Sequence, residues 1–167
     1  MFKKGQAAME FLMTYGWAIL VVLAAIGALA YFGVLSPDNL LPERTSFQAP
    51  IPNIDNAYIT ANGAIEIPFS NNNANQIEVH TANAGMAATF EVGGSTIDCS
   101  GGNTVTIDGA AANKNISNNA NFRVKWTCPA AAWTAGQRVK GSISFEYKNI
   151  YTGHTRSATG SINGKVA

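Results

Sequence analysis

Glu10 stands at the start of a long apolar run, and its carboxylate is the first group in the chain whose chemistry needs an account. From Phe11 to Leu35 no charged residue occurs. An acid beside such a stretch is costly unless it reaches water, lies at a helix N-terminus or meets a cation. If the chain were cut between Gly5 and Gln6, the new α-amine, with a pKa of about 8, would supply that cation. Glu10 follows Gln6 at i+4 on one helix, so its carboxylate could pair with that amine or with a neighbouring subunit's. An uncut chain accounts for Glu10 more simply, as an acid at the membrane interface that favours the helix dipole.

Other candidates for chemistry are few. Cys99 and Cys128 are the only two cysteines; downstream of an export segment they suggest an oxidising compartment and one disulfide, with two buried thiols as the alternative. Closing a loop of that length contributes roughly 3 to 3.5 kcal/mol in the chain-entropy account. No metal site is expected, because neither cysteine belongs to a CxxC pair and the histidines, His80 and His154, stand alone. No nucleophile-base pairing, phosphate loop or calcium loop is visible, and Gly93-Gly94 and Gly101-Gly102 read as turn glycines. Catalysis and a bound cofactor are not expected. Asn115-Ile116-Ser117 is an N-glycosylation acceptor pattern, one that a chain so rich in Asn, Ser and Thr also produces by chance.

The elements that position these residues fall into two regions divided near Leu35. The apolar run would span about 37 Å as a helix, more than the roughly 30 Å of a bilayer core. Lys3 and Lys4 hold its start on the cytoplasmic side, which sends the rest of the chain outside. Phe11, Tyr15 and Trp17 near one end and Tyr31 and Phe32 near the other suit the two interfaces. A secretory signal peptide cut after Ala28-Leu29-Ala30 is the competing reading. Against it, the apolar run is too long, continues through Tyr31-Phe32-Gly33-Val34-Leu35, and has Glu10 at its start. The formal net charge of +1 offers no footprint for phosphate, so no nucleic-acid partner is expected. Charged residues make up only 13% of the chain. A near-neutral subunit limits self-repulsion in a homopolymer, although a low-charge secreted protein has the same composition.

Lys3-Lys4-Gly5 followed by Gln6-Ala7-Ala8-Met9-Glu10-Phe11 resembles the class III signal peptide of archaeal type IV pilins. The resemblance is dense from Lys3 to Leu35 and departs at Ala8, where many members carry Ser. It implies that a prepilin peptidase removes residues 1–5 between Gly5 and Gln6, leaving the helix attached. Loss of Lys3 and Lys4 takes the formal charge from +1 to −1 and deletes the cytoplasmic anchor. It further implies a precursor in the cytoplasmic membrane, then a homopolymeric extracellular filament built by the pilus assembly machinery and used for adhesion. Glu10 takes a part in assembly. Ala24, Ala25, Gly27, Ala28 and Ala30 offer a small-residue surface for close helix packing. An archaellin-like filament subunit and a membrane-anchored extracellular binding protein with the same kind of leader are the alternatives. The first usually has a Gly-Ile-Gly-rich leader, and the second needs a larger, two-lobed head.

Beyond a helix over 6–36, Pro37, Pro42, Pro50 and Pro52 mark 37–54 as a neck. From residue 55 the hydrophobic period becomes two. Apolar alternation predicts about eight strands, near 57–60, 64–67, 77–80, 90–92, 104–108, 122–128, 142–148 and 158–162. Asn62-Gly63 predicts a type I′ hairpin, and Asn71-Asn72-Asn73 and Asn118-Asn119 read as solvated loops. In Phe122-Arg123-Val124-Lys125-Trp126-Thr127-Cys128 the apolar set includes Cys128, which predicts a buried disulfide. The fold class expected is α+β: a long hydrophobic N-terminal helix followed by a β-sandwich head over 55–167, shaped like a lollipop. The pilin resemblance makes that head immunoglobulin-like, and Thr159-Gly160-Ser161-Ile162-Asn163-Gly164-Lys165 is similar to the C-terminal strand of archaeal pilin heads.

Overall fold

A computed structural model of the chain describes residues 3–32, 42–81, 88–92, 95–99, 104–128 and 133–167. It divides into two compact units, Met1–Leu41 and Pro42–Ala167. The first holds one helix, α1 (Lys3–Tyr31), closed at its end by the Phe32 N–H donating to Ala28 O at 3.0 Å. The last residues of the expected helix, 33–36, lie outside the described residues, as do the two Gly-Gly pairs.

The second unit is antiparallel β structure. Its strands among the described residues are β1 (Arg44–Phe47), β2 (Tyr58–Ile59), β3 (Ala64–Ser70), β4 (Ile77–Val79), β5 (Ala88–Val92), β6 (Ser95–Asp98), β7 (Thr104–Ile107), β8 (Lys114–Ile116), β9 (Asn121–Thr127), β10 (Arg138–Asn149) and β11 (Thr155–Lys165). One sheet runs β1-β11-β10-β4-β8, with β5 also paired to β10 and β6 outside β5; the other runs β2-β3-β9-β7. Their apolar faces share one core. Phe69 of the smaller sheet sits at its centre, with ring centroids 4.8 Å from Phe47 and 5.1 Å from Phe145 of the larger sheet and 5.6 Å from Phe122 of its own. Side-chain alternation produces this packing: Phe122, Val124 and Trp126 of β9 are buried while Asn121, Arg123 and Lys125 face out.

The proline-rich stretch departs from the expected neck. Thr45 and Phe47 of β1 point inward, Ile51 is fully buried, and Asn53 bridges to Phe69. The prolines fit because this stretch is asked to accept hydrogen bonds there. Asn72 N–H donates to Pro50 O at 3.0 Å and Ser70 N–H to Pro52 O at 3.1 Å, so the missing proline N–H groups cost nothing. The compact unit therefore begins near Pro42, not at residue 55.

Turn chemistry is also redistributed. At Asn62-Gly63 only Gly63 takes a positive φ, of 80°. Thr60 N–H donates to Ala64 O at 2.9 Å and Gly63 N–H to Thr60 O at 3.0 Å, while Asn62 Oδ1 accepts from the Thr60 hydroxyl, so a four-residue loop replaces the expected type I′ turn. The two-residue turn with both φ values positive lies at Asp108 (48°) and Gly109 (84°), where Ile107 and Ala110 exchange backbone hydrogen bonds.

On β10, Tyr147 is buried and lies across from Arg156 of β11. Burial raises its phenol above the ordinary range, opposed by the Arg156 charge. An unfolded tyrosine ionises near pH 10 whereas the folded one stays protonated to higher pH, so above that point unfolding releases a proton. This contribution is fully present below about pH 10 and is lost as pH rises through the window up to the folded value. Urea midpoints measured at about pH 9 and about pH 11 should fall more steeply for the native chain than for Tyr147→Phe. Equal slopes would refute the assignment.

Candidate functional site

Helix α1 carries large apolar side chains that are exposed among the described residues. At 1.5 Å per residue α1 is about 43 Å long. Its stretch Ala8–Tyr31 is long and apolar enough to cross a membrane, with a mean hydropathy of 2.1. A surface helix of a soluble domain would have an apolar stripe backed by a polar face. Here the consecutive residues Leu20, Val21, Val22 and Leu23, about 100° apart around the axis, are all exposed. Phe11 and Tyr15, one turn apart, meet with their rings tilted and centroids 4.8 Å apart, an ordinary i,i+4 pair. Each aliphatic or aromatic side chain moved from water to an apolar surrounding contributes about 1.5 to 3 kcal/mol. The helix surface is thus built for lipid or for other helices.

The Gly5-Gln6 bond lies in the first turns of α1, whose backbone also includes Lys3 and Lys4. A Cβ built on Gly5 would meet nothing within 4 Å. Glu10 is exposed on the same helix.

In the β domain, Cys99 follows β6 of the larger sheet and Cys128 follows β9 of the smaller. They form a disulfide with Cα atoms 5.1 Å apart, both buried, which ties the two sheets together at one side. Asn115 is exposed on the short strand β8, opposite Glu78 of β4. His80 Nε2 lies 3.8 Å from Glu78 Oε2, and His154 is exposed at the β10–β11 turn, far along the chain from it. No three His, Cys, Asp or Glu side chains come together among the described residues.

A shallow cleft of about 520 Å³ lies on the outer face of the smaller sheet, lined by Glu66, Thr106, Asp108, Gly109, Arg123 and Lys125. Its charges are largely engaged with one another. Arg123 Nη1 meets Glu66 Oε1 at 3.4 Å, Lys114 Nζ meets Asp108 Oδ2 at 2.8 Å, and Asp108 Oδ1 accepts from the Arg123 N–H at 2.8 Å. That arrangement braces the sheet.

Sequence reasoning missed the structural asparagines. Asn71, expected in a solvated loop, is fully buried. Its Nδ2 donates to Asn75 O, Ile116 O and Ser117 O at 3.2, 3.2 and 3.0 Å, and its Oδ1 accepts from Asn73 N–H at 3.0 Å. The available signal was position: Asn71 continues the inward alternation of Ile67 and Phe69 at the end of β3.

The chain is thus of a definite structural class, a membrane-span-length apolar helix followed by a disulfide-bonded antiparallel β domain. No family model and no curated protein matches it. Among solved structures, the archaellum periplasmic stator protein FlaG from Sulfolobus acidocaldarius aligns with 71% of this chain and 99% of its own, at 12% identity and a TM-score of 0.32. A likeness of that size carries no inference about fold or function.

Proposed function

We propose that the chain is the subunit of an archaeal type IV pilus, anchored as a precursor in the cytoplasmic membrane and polymerised through α1 into an adhesive extracellular filament. The observation that supports this reading best is the exposed apolar surface that surrounds α1. A helix that only anchors a protein needs no acid at its start. One that moves from lipid into a bundle of like helices gains from a carboxylate able to meet a neighbour's amine. A prepilin peptidase cuts Gly5-Gln6 and removes Lys3 and Lys4. Glu10 then serves assembly, the partner being further copies of the chain. The head is read as immunoglobulin-like, its disulfide suited to an oxidising exterior. Asn115, exposed on β8, is open to a glycan.

The test is mass spectrometry of the mature N-terminus in sheared surface material. Gln6 as the first residue in a filament fraction is the expected result; Tyr31 first in a soluble fraction would sink the proposal. The companion variant Glu10→Ala should leave export and cleavage intact and lower filament yield, whereas normal yield would return Glu10 to a purely interfacial role.

A further inference from the structure

The β1 edge of the larger sheet ends at the surface, yet its outward backbone groups are already occupied. Arg44–Phe47 pairs with β11 on one side only. On the other side Thr45 and Phe47 direct their peptide groups outward, the arrangement that invites a strand from another chain. Segment 53–57 runs along this edge as a strap. Asn53 Oδ1 accepts from Phe47 N–H at 2.9 Å while its Nδ2 donates to Thr45 O at 3.0 Å. One side-chain amide thus offers the donor and acceptor that the peptide group of a neighbouring strand would offer. Asn56 Oδ1 accepts from Thr45 N–H at 3.0 Å, and the Ala57 N–H donates to Thr45 Oγ1 at 2.7 Å. The strap is itself held, by Ile54 N–H to Pro68 O at 2.9 Å and by Asn53 Nδ2 to Asp55 O at 3.1 Å.

We propose that Asn53 and Asn56 form a built-in seal that closes the β1 edge against strand addition by a second copy of this chain. The seal matters wherever an apolar helix gathers copies, because tethering raises the effective concentration of every exposed edge. It does not depend on the pilin reading.

The symmetric pairing that the seal prevents would place Ser46 opposite Ser46 of a second copy, between the outward peptide groups of Thr45 and Phe47. The full-length chain in detergent, carrying Ser46→Cys, is treated with a short bismaleimide, which leaves the Cys99–Cys128 bridge intact. With Asn53 and Asn56 present, crosslinked dimer should stay at background. Adding Asn53→Ala and Asn56→Ala should raise it roughly tenfold or more, the equilibrium worth of one or two edge hydrogen bonds. A control cysteine at exposed Ser157 in the same double variant should show no rise; an equal rise there would mean general association and would overturn the proposal. If near-ultraviolet circular dichroism shows the double variant unfolded, Asn56→Ala alone, which frees the Thr45 N–H and the Glu43 carbonyl, decides the matter. A folded variant that stays at background refutes the seal.

Discussion

Replacing Asn71 by Leu should destabilise the β domain by about 3 to 5 kcal/mol, because a near-isosteric apolar side chain leaves several polar groups in a dry place without partners. Asn71 closes two loops at once. Within its own, the side chain accepts from Asn73 N–H and donates to Asn75 O; across the chain it donates to Ile116 O and Ser117 O at the end of β8. Its backbone continues the junction, donating to Ala120 O at 3.0 Å and accepting from Asn119 N–H at 2.8 Å. Those backbone bonds survive the substitution; the side-chain bonds do not. Each buried group left unpaired costs about 1 to 3 kcal/mol. Asn71→Asp separates lost hydrogen bonding from lost packing. Its carboxylate keeps the acceptor for Asn73 but turns a second oxygen toward three carbonyls, which raises its pKa. It should therefore be less stable than Asn71→Leu at neutral pH and recover partly below about pH 5, where a protonated acid can donate again. Chemical denaturation of the three proteins at two pH values measures this. A Leu variant within about 1 kcal/mol of the native chain would show that water satisfies those carbonyls.

The parts of the fold that sequence exposed are those where a period persists. Phe122, Val124 and Trp126 alternate with Asn121, Arg123 and Lys125 long enough to identify β9, and Ile143, Phe145 and Tyr147 identify β10. Strands β6 and β8 escaped because they are short edge strands: Ser95–Asp98 buries no side chain and Lys114–Ile116 buries only Ile116. β1 escaped because its prolines suggested a linker, and only the acceptors they supply to Ser70 and Asn72 reveal why they belong in the domain. Asparagine was the systematic blind spot. Its preference for turns holds at Asn118, whose Nδ2 donates to Ala74 O at 3.1 Å, yet the same amide serves as a buried junction at Asn71 and as a strand mimic at Asn53. Those uses depend on partners more than forty residues away or across a sheet edge, which no local pattern carries. At the helix the balance reverses. Gly5, Gln6 and Glu10 are meaningful as a pattern, while the structure contributes the helix through them and the exposed apolar surface beyond.

Gly160→Ala should cost about 2 to 3 kcal/mol and Gly160→Val still more, whereas Gly164→Ala should cost about 1 kcal/mol or less, although both glycines lie on the inner face of β11. The difference is what each would meet. A Cβ on Gly160 would sit 2.4 to 2.5 Å from Cδ2, Cε2 and Cγ of Phe47, its register partner in β1, so the ring lies directly over the glycine. Phe47 has little room to yield, being packed edge-on against Phe69 with centroids 4.8 Å apart and only 6% exposed. At Gly164 the nearest atom is the Ile59 Cδ1 methyl at 2.8 Å, the tip of a side chain that can change rotamer. Neither glycine takes a positive φ, so backbone strain plays no part and the cost is one of space. Shrinking the ring should therefore rescue the larger residue. In a double-mutant cycle, Phe47→Leu with Gly160→Ala should be more stable than the sum of the single losses predicts, by about 1 kcal/mol or more. Additive losses, or a Gly164→Ala penalty as large as that at Gly160, would mean that β11 tolerates a side chain at position 160 by shifting away from β1. Strand β1 would then lose the fixed pairing on which its sealed edge depends.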